Sequence, residues 1–218
     1  MKKIIIFGFP HSGTSILKSI IGHIDGVEEI IDESDSINTT TNKDFILCKY
    51  PFALDKFFTD KYKDYIKIFI IRNPKYALSS LNKRFNYRLI KGCCINSYIN
   101  TAKKFIFYKK NPIKNLYTIK YEDLFKDNFI YFKKILNKIG LKYSNSIFDN
   151  SKYKNKIISG INLSKNKPAN AEHGPYRTWQ INQPFVCKNH YSKIDLTEEQ
   201  SRIISSNNYI LELYNDHN

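Results

Sequence analysis

The hydrophobic residues of this chain fall into short runs that alternate with longer segments of helical periodicity. A short, mostly apolar run predicts a strand inside a parallel sheet, because helices cover both faces of such a strand. A segment whose apolar residues recur every three or four positions predicts a helix with one buried face. The predicted strands are 4–7, 45–48, 66–71 and 116–119, and the predicted helices are 15–24, a segment through 54–58, about fifteen residues from 74, 95–109, 129–139 and a last helix from 197.

Start and stop signals support several of these helix boundaries. Asn73 and Pro74 are favourable N-cap and first-turn residues, and Gly140 favours the end of a helix. Thr197, followed three residues later by Gln200, has the spacing of a capping box.

The alternation of strands and helices predicts a three-layer α/β/α fold around a central parallel sheet. The length of 218 residues is enough for one domain with a sizeable core, and we expect a single domain over residues 1–218. Residues 141–195 are rich in Asn, Lys and Ser, and we expect irregular structure there. Parallel sheets bind ligands beyond the carboxyl ends of their strands, so the loops after the strands are the first candidates for function.

Charge and cysteine content narrow the classes of function. The net charge of +15 favours anionic ligands such as nucleotides, acidic glycans or nucleic acid. No apolar run approaches the ~18 to 20 residues of a membrane helix, so we expect a soluble, cytoplasmic protein without a membrane span. The cysteines lack the spacing of a zinc site and are interpreted as reduced thiols. They are Cys48, Cys93, Cys94 and Cys187.

Residues 8–15, here called the first loop, read Gly-Phe-Pro-His-Ser-Gly-Thr-Ser and follow the first predicted strand. The spacing of Gly8 and Gly13 is that of the phosphate-binding loop of P-loop proteins, in which backbone N–H groups and a helix N-terminus bind an anion. The glycines alone are equally consistent with an ordinary strand-to-helix turn. The position between a buried strand and a helix favours the phosphate-binding loop and a P-loop type of fold.

Thr14 stands where a nucleoside-triphosphatase loop has the lysine that reaches the β- and γ-phosphates. Thr14 and Ser15 can donate hydroxyl hydrogen bonds to a phosphate, but they cannot neutralise a polyphosphate. The first loop is therefore interpreted as a site for a less charged 5′ anion, with no metal ion implied.

The first loop resembles the 5′-phosphosulfate loop of the sulfotransferase family, which runs (Lys or Arg)-Ser-Gly-Thr-(Thr or Ser). The resemblance implies that 3′-phosphoadenosine-5′-phosphosulfate (PAPS) is the cofactor and PAP the product. It also implies cofactor contacts from five residues, namely His11, Ser12, Gly13, Thr14 and Ser15. His11 replaces the usual Lys or Arg, so its charge depends on pH. We expect an anionic cofactor to raise the pKa of His11, which would then assist catalysis as a cation.

A second motif follows the strand predicted at residues 66–71. Arg72 stands at the strand end, Ser80 lies eight residues later, and Arg84 lies one helical turn beyond Ser80. A surface arginine and a helix-facing serine are the alternative interpretation. This pattern also resembles the sulfotransferases, with Asn73 in place of the usual acid, and the resemblance implies that these residues bind the 3′-phosphate of PAPS.

Three weaker similarities to the family lie further along the chain. Lys49 precedes Tyr-Pro-Phe at the end of a predicted strand, as in Golgi-type members. Tyr121 begins a Tyr-Glu-Asp-Leu segment in which the tyrosine would contact the nucleotide; an ordinary acidic first turn of a helix is the alternative. Lys167, followed by Trp179, is similar to the loop that closes over the cofactor. The resemblance covers residues 4 to about 125 well and the remainder only in outline.

A sulfotransferase also needs a general base for the acceptor hydroxyl. In many members of the family this base is a glutamate some twenty residues after the loop serine, which corresponds to Glu33. The apolar pair before Glu33 suggests a strand that ends at the site. Glu28, Glu29 and Asp32 are the competing carboxylates.

The resemblance implies transfer of a sulfuryl group from PAPS to an acceptor hydroxyl, on a carbohydrate or another small molecule. A P-loop nucleotide or small-molecule kinase is one alternative. A non-catalytic domain that binds anions or nucleic acid is another, suggested by the net charge and by aromatic residues at helical spacing, which are more simply helix core. Those residues are Tyr98, Phe105, Phe107 and Tyr108. We expect no nucleic-acid partner, and the sequence leaves the oligomeric state open.

Overall fold

The computed structural model describes residues 1–88, 90–149 and 194–214. Its strands are β1 (Lys2–Gly8), β2 (Val27–Glu29), β3 (Phe45–Tyr50), β4 (Tyr65–Ile71) and β5 (Leu116–Lys120). The α-helices within these ranges are α1 (Thr14–Gly22), α2 (Pro74–Phe85), α3 (Ile95–Lys110), α4 (Tyr121–Leu124), α5 (Ile130–Ile139), α6 (Glu198–Ser206) and α7 (Asn208–Tyr214). Short 3₁₀ turns span Asp55–Phe58, Asp60–Tyr62 and Asn145–Phe148.

The five strands form one parallel sheet in the order β2-β3-β1-β4-β5. The central strand, β1, pairs with β3 on one side and with β4 on the other. The chain therefore changes direction across the sheet at β1, and a ligand crevice is expected beyond the carboxyl ends of β1, β3 and β4. The predicted α/β fold with a central parallel sheet is confirmed.

Alternate residues of β1 enter the two hydrophobic cores that lie on opposite faces of the sheet. Ile4 and Ile6 pack in the core that includes α1 and α5. Ile5 and Phe7 pack in the core that includes α3, α6 and α7. All four side chains are fully buried. Because successive side chains of a strand point to opposite faces, an unbroken apolar run is what a strand between two helical layers requires.

The helix signals in the sequence act as predicted. Asn73 caps α2, because its side chain accepts a hydrogen bond from the N–H of Lys75 at 3.0 Å. Gly140 ends α5 in the left-handed conformation, with φ of 84°. Thr197 and Gln200 form both hydrogen bonds of a capping box at the start of α6.

One strand was not predicted, and two predictions of local structure are wrong. Strand β2 was not predicted, because its sequence Val-Glu-Glu has no apolar run and only its place beside β3 makes it a strand. The apolar pair before Glu33 does not belong to a strand, since β2 ends at Glu29. The helix predicted through 54–58 consists of 3₁₀ turns.

The aromatic residues of α3 fit the core interpretation only in part. Tyr98 and Phe105 are buried, whereas Phe107 is exposed. Tyr108 lies partly buried and stacks on Phe58, with ring centroids 4.2 Å apart. Three of these four aromatic residues therefore pack against the hydrophobic core, and Phe107 lies on the surface.

None of the helices in the described part of the chain combines the length and the apolar composition needed to cross a lipid bilayer. Cys48, Cys93 and Cys94 are thiols, and burial raises the pKa of Cys48 to about 12. Cys187 and Lys167 lie outside the described residues.

Candidate active site

The first loop is a tight turn between β1 and α1. The N–H of Ser12 donates to the carbonyl oxygen of Phe9 at 3.1 Å, and Gly13 has φ of 97°. A Cβ atom on Gly13 would lie 2.5 Å from Cδ2 of Tyr121, so the position requires glycine for space as well as for backbone conformation. The ring of Tyr121 and the loop are therefore packed directly against each other.

The start of α1 has the properties of an anion site. Thr14 and Ser15 are its first two residues, and its N-cap residue is Gly13, which has no side chain with which to cap the helix. The oxygen Oγ of Ser12 is fully buried and has no hydrogen-bond partner among the described residues. A buried hydroxyl without a partner is costly, and an anion bound at the uncapped end of the helix would supply one.

The second motif lies beside the first loop in space. Three residues, here called the arginine cluster, make up this motif: Arg72 directly follows β4, and Ser80 and Arg84 lie on α2. Each residue of the cluster contacts His11. Nη1 of Arg72 donates to the carbonyl oxygen of His11 at 3.3 Å, Oγ of Ser80 lies 2.6 Å from Nδ1, and Nη1 of Arg84 lies 3.5 Å from Nε2. Two motifs that are about sixty residues apart in sequence therefore meet at one histidine.

The surroundings of His11 favour the neutral imidazole. Burial lowers its pKa from the usual 6.5 to about 3, and the nearby charges of Arg84, Lys49 and Arg72 add to this effect, while Glu33 opposes it. The expectation of a raised pKa for His11 concerns the loop with an anionic cofactor bound, and it stays a prediction. Without such an anion, burial and the three nearby cations lower this pKa. Fixed positive charge at the site comes from Arg72, Arg84 and Lys49.

Tyr121 supports both parts of the site. Its ring is 3% exposed and lies 4.0 Å from the guanidinium carbon of Arg72, measured to the ring centroid. The same ring packs against Gly13. The predicted contact of Tyr121 with a nucleotide remains a prediction, and the observed contacts are with the protein.

Two supporting residues were missed in the sequence. The hydroxyl of Tyr98 donates to the carbonyl oxygen of Arg72 at 2.6 Å. Oε1 of Glu122 accepts the N–H of Asn73 at 2.8 Å, and burial raises the pKa of Glu122. Both side chains fix the backbone at the start of the arginine cluster. Their sequence signal was ambiguous, because Tyr98 fits a helix core and Glu122 fits an ordinary acidic first turn.

Helix α2 is also held from the far end of the chain. Nδ2 of Asn82 donates to the carbonyl oxygen of Asp195 and to Oε1 of Gln200, each at 2.8 Å. The N–H of Asp195 donates to Oγ of Ser79 at 2.8 Å. Ser79 and Asn82 lie on either side of Ser80 in the sequence, so these bonds fix this part of α2 against the segment that leads into α6.

Glu33 and Lys49 form an ion pair near this cluster. Lys49 is the penultimate residue of β3, is 3% exposed, and donates from Nζ to Oε1 of Glu33 at 2.6 Å. The charges of both residues act on His11, so the pair faces the same edge of the sheet as the first loop. The carbonyl oxygen of Lys49 accepts the N–H of Ser34 at 3.0 Å, which fixes the segment that carries Glu33.

The competing carboxylates occupy other positions. Glu28 and Asp32 are exposed. Glu29 forms an ion pair with the buried Lys18 at 3.3 Å, and Nζ of Lys18 also donates to the carbonyl oxygen of Ile31 at 2.6 Å. Of the four acidic candidates, Glu33 is the one whose charge acts on the histidine of the first loop.

No protein-family model matches the chain, and no curated protein is similar to it at a significant level. Among solved structures, it is similar to mouse sulfotransferase SULT7A1 complexed with PAP, at 19% identity and a TM-score of 0.49, over 68% of this chain and 61% of that one. It is also similar to retinol dehydratase in a complex with retinol and PAP, at 11% identity and a TM-score of 0.46, over 69% and 64% of the two chains. The matched region thus spans less than two thirds of either structure.

Proposed function

We propose that this chain is a sulfotransferase that transfers the sulfuryl group of PAPS to an acceptor hydroxyl. The observation that carries the proposal is the meeting of the first loop and the arginine cluster at His11. One half offers a helix N-terminus to an anion, and the other offers two guanidinium groups. A nucleotide with phosphate groups at both its 5′ and 3′ positions matches such a paired arrangement.

The residues present fit this cofactor. The buried hydroxyl of Ser12 and the start of α1, with Gly13, Thr14 and Ser15, would hold the 5′ end. The arginine cluster would hold the 3′-phosphate, because guanidinium groups bind phosphate oxygens in a planar fork. Tyr121 supports both halves, and the role of Lys167 stays a prediction.

PAPS supplies a sulfuryl group that is already bonded to a phosphate leaving group. The protein must then accept a proton from the acceptor hydroxyl and provide positive charge near the departing oxygen. We assign the first task to Glu33 and the second to Lys49, which replaces His11 in this role because the imidazole is neutral. The ion pair between Lys49 and Glu33 holds both groups in place.

Nucleotide binding tests the assignment of the cofactor. Ligand at a hundred times its Kd should stabilise the folded protein by about 2.7 kcal/mol, so thermal shifts with PAP, 5′-AMP, ATP with magnesium, and NAD can be ranked. We expect PAP to give the largest shift. A larger shift with ATP and magnesium would contradict the proposal and support the kinase alternative.

Turnover of a Glu33→Gln variant tests the general base. We expect sulfuryl transfer to phenols, alcohols or sugars to fall by about 10² to 10⁴-fold, because the variant cannot accept the hydroxyl proton. The affinity for PAP should stay within about threefold of that of the wild type. Asp32→Asn tests the competing carboxylate, and we expect it to leave turnover unchanged, because this side chain is exposed. Unchanged turnover in Glu33→Gln would pass the role of base to Asp32 or Glu29.

A further inference from the structure

His11 belongs to the first loop, but its polar contacts are with the arginine cluster. Its ring nitrogens lie 2.6 Å from Oγ of Ser80 and 3.5 Å from Nη1 of Arg84, and its carbonyl oxygen accepts from Arg72. A side chain that bound only the 5′ anion would not need these contacts. The position of His11 therefore connects the two halves of the proposed nucleotide site.

The partners fix the protonation of the ring. Arginine has only hydrogen-bond donors, so Nε2 of His11 must be the acceptor of the bond from Arg84. The proton of the neutral ring is then on Nδ1, which donates to Oγ of Ser80. With its oxygen occupied as an acceptor, the hydroxyl of Ser80 is oriented to donate its own proton elsewhere.

The surrounding charges maintain this neutral form. The cations that face His11 are Arg84 on α2, Arg72 at the end of β4 and Lys49 on β3, and the one carboxylate among the described groups that act on it is Glu33. A protonated ring would point an N–H group at Arg84, where two donors repel each other. Only neutral imidazole satisfies Ser80 and Arg84 together.

We infer that His11 is a positioning residue that determines specificity for the 3′-phosphate, although it belongs to the first loop. It orients the hydroxyl of Ser80 and the guanidinium of Arg84 for that phosphate. The inference rests on the proposed function, because it assigns the arginine cluster to the 3′-phosphate of PAP. It differs from the role expected from the sequence, which was a cation at the 5′ end.

The ratio of the Kd values for 5′-AMP and PAP measures what the 3′-phosphate contributes to binding. We expect His11→Ala to reduce this ratio about tenfold, the usual size for a lost hydrogen bond to a charged group, while the Kd for 5′-AMP changes less than about twofold. His11→Asn should lose about threefold, because the amide can still donate to Ser80 and asparagine tolerates the left-handed backbone at this position, where φ is 63°.

The outcomes separate this inference from the proposed function. Equal losses for both nucleotides in His11→Ala and His11→Asn would overturn the positioning role and make His11 a direct contact of the 5′ end. A failure of the wild-type protein to bind PAP would overturn the proposed function and this inference with it. In the Ser80→Ala background, the effect of His11→Ala on the ratio should be smaller, because the hydroxyl that His11 orients is already absent.

Nitrogen NMR of the histidine rings tests the protonation state without any nucleotide. The chain has five histidines, and the signal of His11 is the one that disappears in His11→Asn. We expect a neutral ring with the proton on Nδ1 that does not titrate between about pH 5 and 8. A proton on Nε2, or titration near the usual pKa of about 6.5, would contradict the inference that His11 donates to Ser80 and accepts from Arg84.

Discussion

The two halves of the proposed nucleotide site are built in different ways. The first loop is one continuous segment, and its shape comes from its own backbone, with a left-handed Gly13 and a turn closed by Ser12 and Phe9. The arginine cluster combines Arg72, which directly follows β4, with two residues of α2. Its backbone is held by Tyr98 and Glu122, which come from elements later in the chain.

The two halves should therefore respond differently to mutation. A change of shape within the first loop should affect every ligand that uses the helix N-terminus. A change in the arginine cluster or in its supports should affect only ligands with a second phosphate. The comparison of 5′-AMP with PAP therefore distinguishes damage to one half from damage to the other.

The largest effect is expected from Gly13→Ala. The new Cβ atom would meet Tyr121 at 2.5 Å, and alanine in a left-handed conformation costs about 1–2 kcal/mol. We expect both nucleotides to bind at least about a hundredfold more weakly, as measured by calorimetry. Gly140→Ala is the matched control, because it also has positive φ but no atom within 4 Å of the new Cβ. It should lower stability while nucleotide binding persists.

Arg72→Ala should produce the next largest effect and confine it to the arginine cluster. Loss of a charge-assisted hydrogen bond is worth about 1.5–3 kcal/mol, so PAP should bind about ten- to a hundredfold more weakly, while 5′-AMP loses much less. Lys75→Ala, an exposed cation at the start of α2, is the control for loss of charge alone. Equal losses for PAP and 5′-AMP in calorimetry would remove the assignment of Arg72 to the 3′-phosphate.

Tyr98→Phe should give the smallest effect, because it removes a support and not a ligand. The carbonyl oxygen of Arg72 loses its hydrogen bond, which should lower the free energy of unfolding by about 1 kcal/mol in denaturant titrations. The Kd for PAP should rise about two- to fivefold with that for 5′-AMP unchanged. Tyr108→Phe on the same helix is the control. An unaltered ratio of the two Kd values would show that the hydrogen bond from Tyr98 to Arg72 does not affect binding of the 3′-phosphate.

Much of the fold follows from local patterns in the sequence. The apolar runs of β1 and β4 and the caps at Asn73, Gly140 and Thr197 act over a few residues, so their physics is present in the sequence itself. Strand β2 could not be predicted in this way, because its polar sequence becomes a strand only through pairing with β3.

The candidate residues of the first loop and the arginine cluster were identified from their motifs, but their relationship was not. Nothing in the spacing of His11 and Ser80 indicates a hydrogen bond between them, and a histidine beside a phosphate loop suggests a cation. Its pKa is lowered because folding removes the ring from water beside Arg84 of α2, Lys49 of β3 and Arg72, which follows β4. The sequence supplied the residue types, and long-range packing decided the protonation state.

Lys49 and Lys67 also show how the sequence and the tertiary structure contribute differently. Each interrupts an apolar run of a strand, and each is buried. Lys49 lies near the carboxyl end of β3, where Glu33 pairs with it, whereas Lys67 lies opposite Ile5 in the middle of the sheet, where burial lowers its pKa. The sequence determined that both strands carry a lysine. The similarity of Lys49-Tyr-Pro-Phe to the family already favoured Lys49 in the sequence. Its ion pair with Glu33 and its effect on His11 come from the tertiary structure, because charge acts through space and the fold sets the distances.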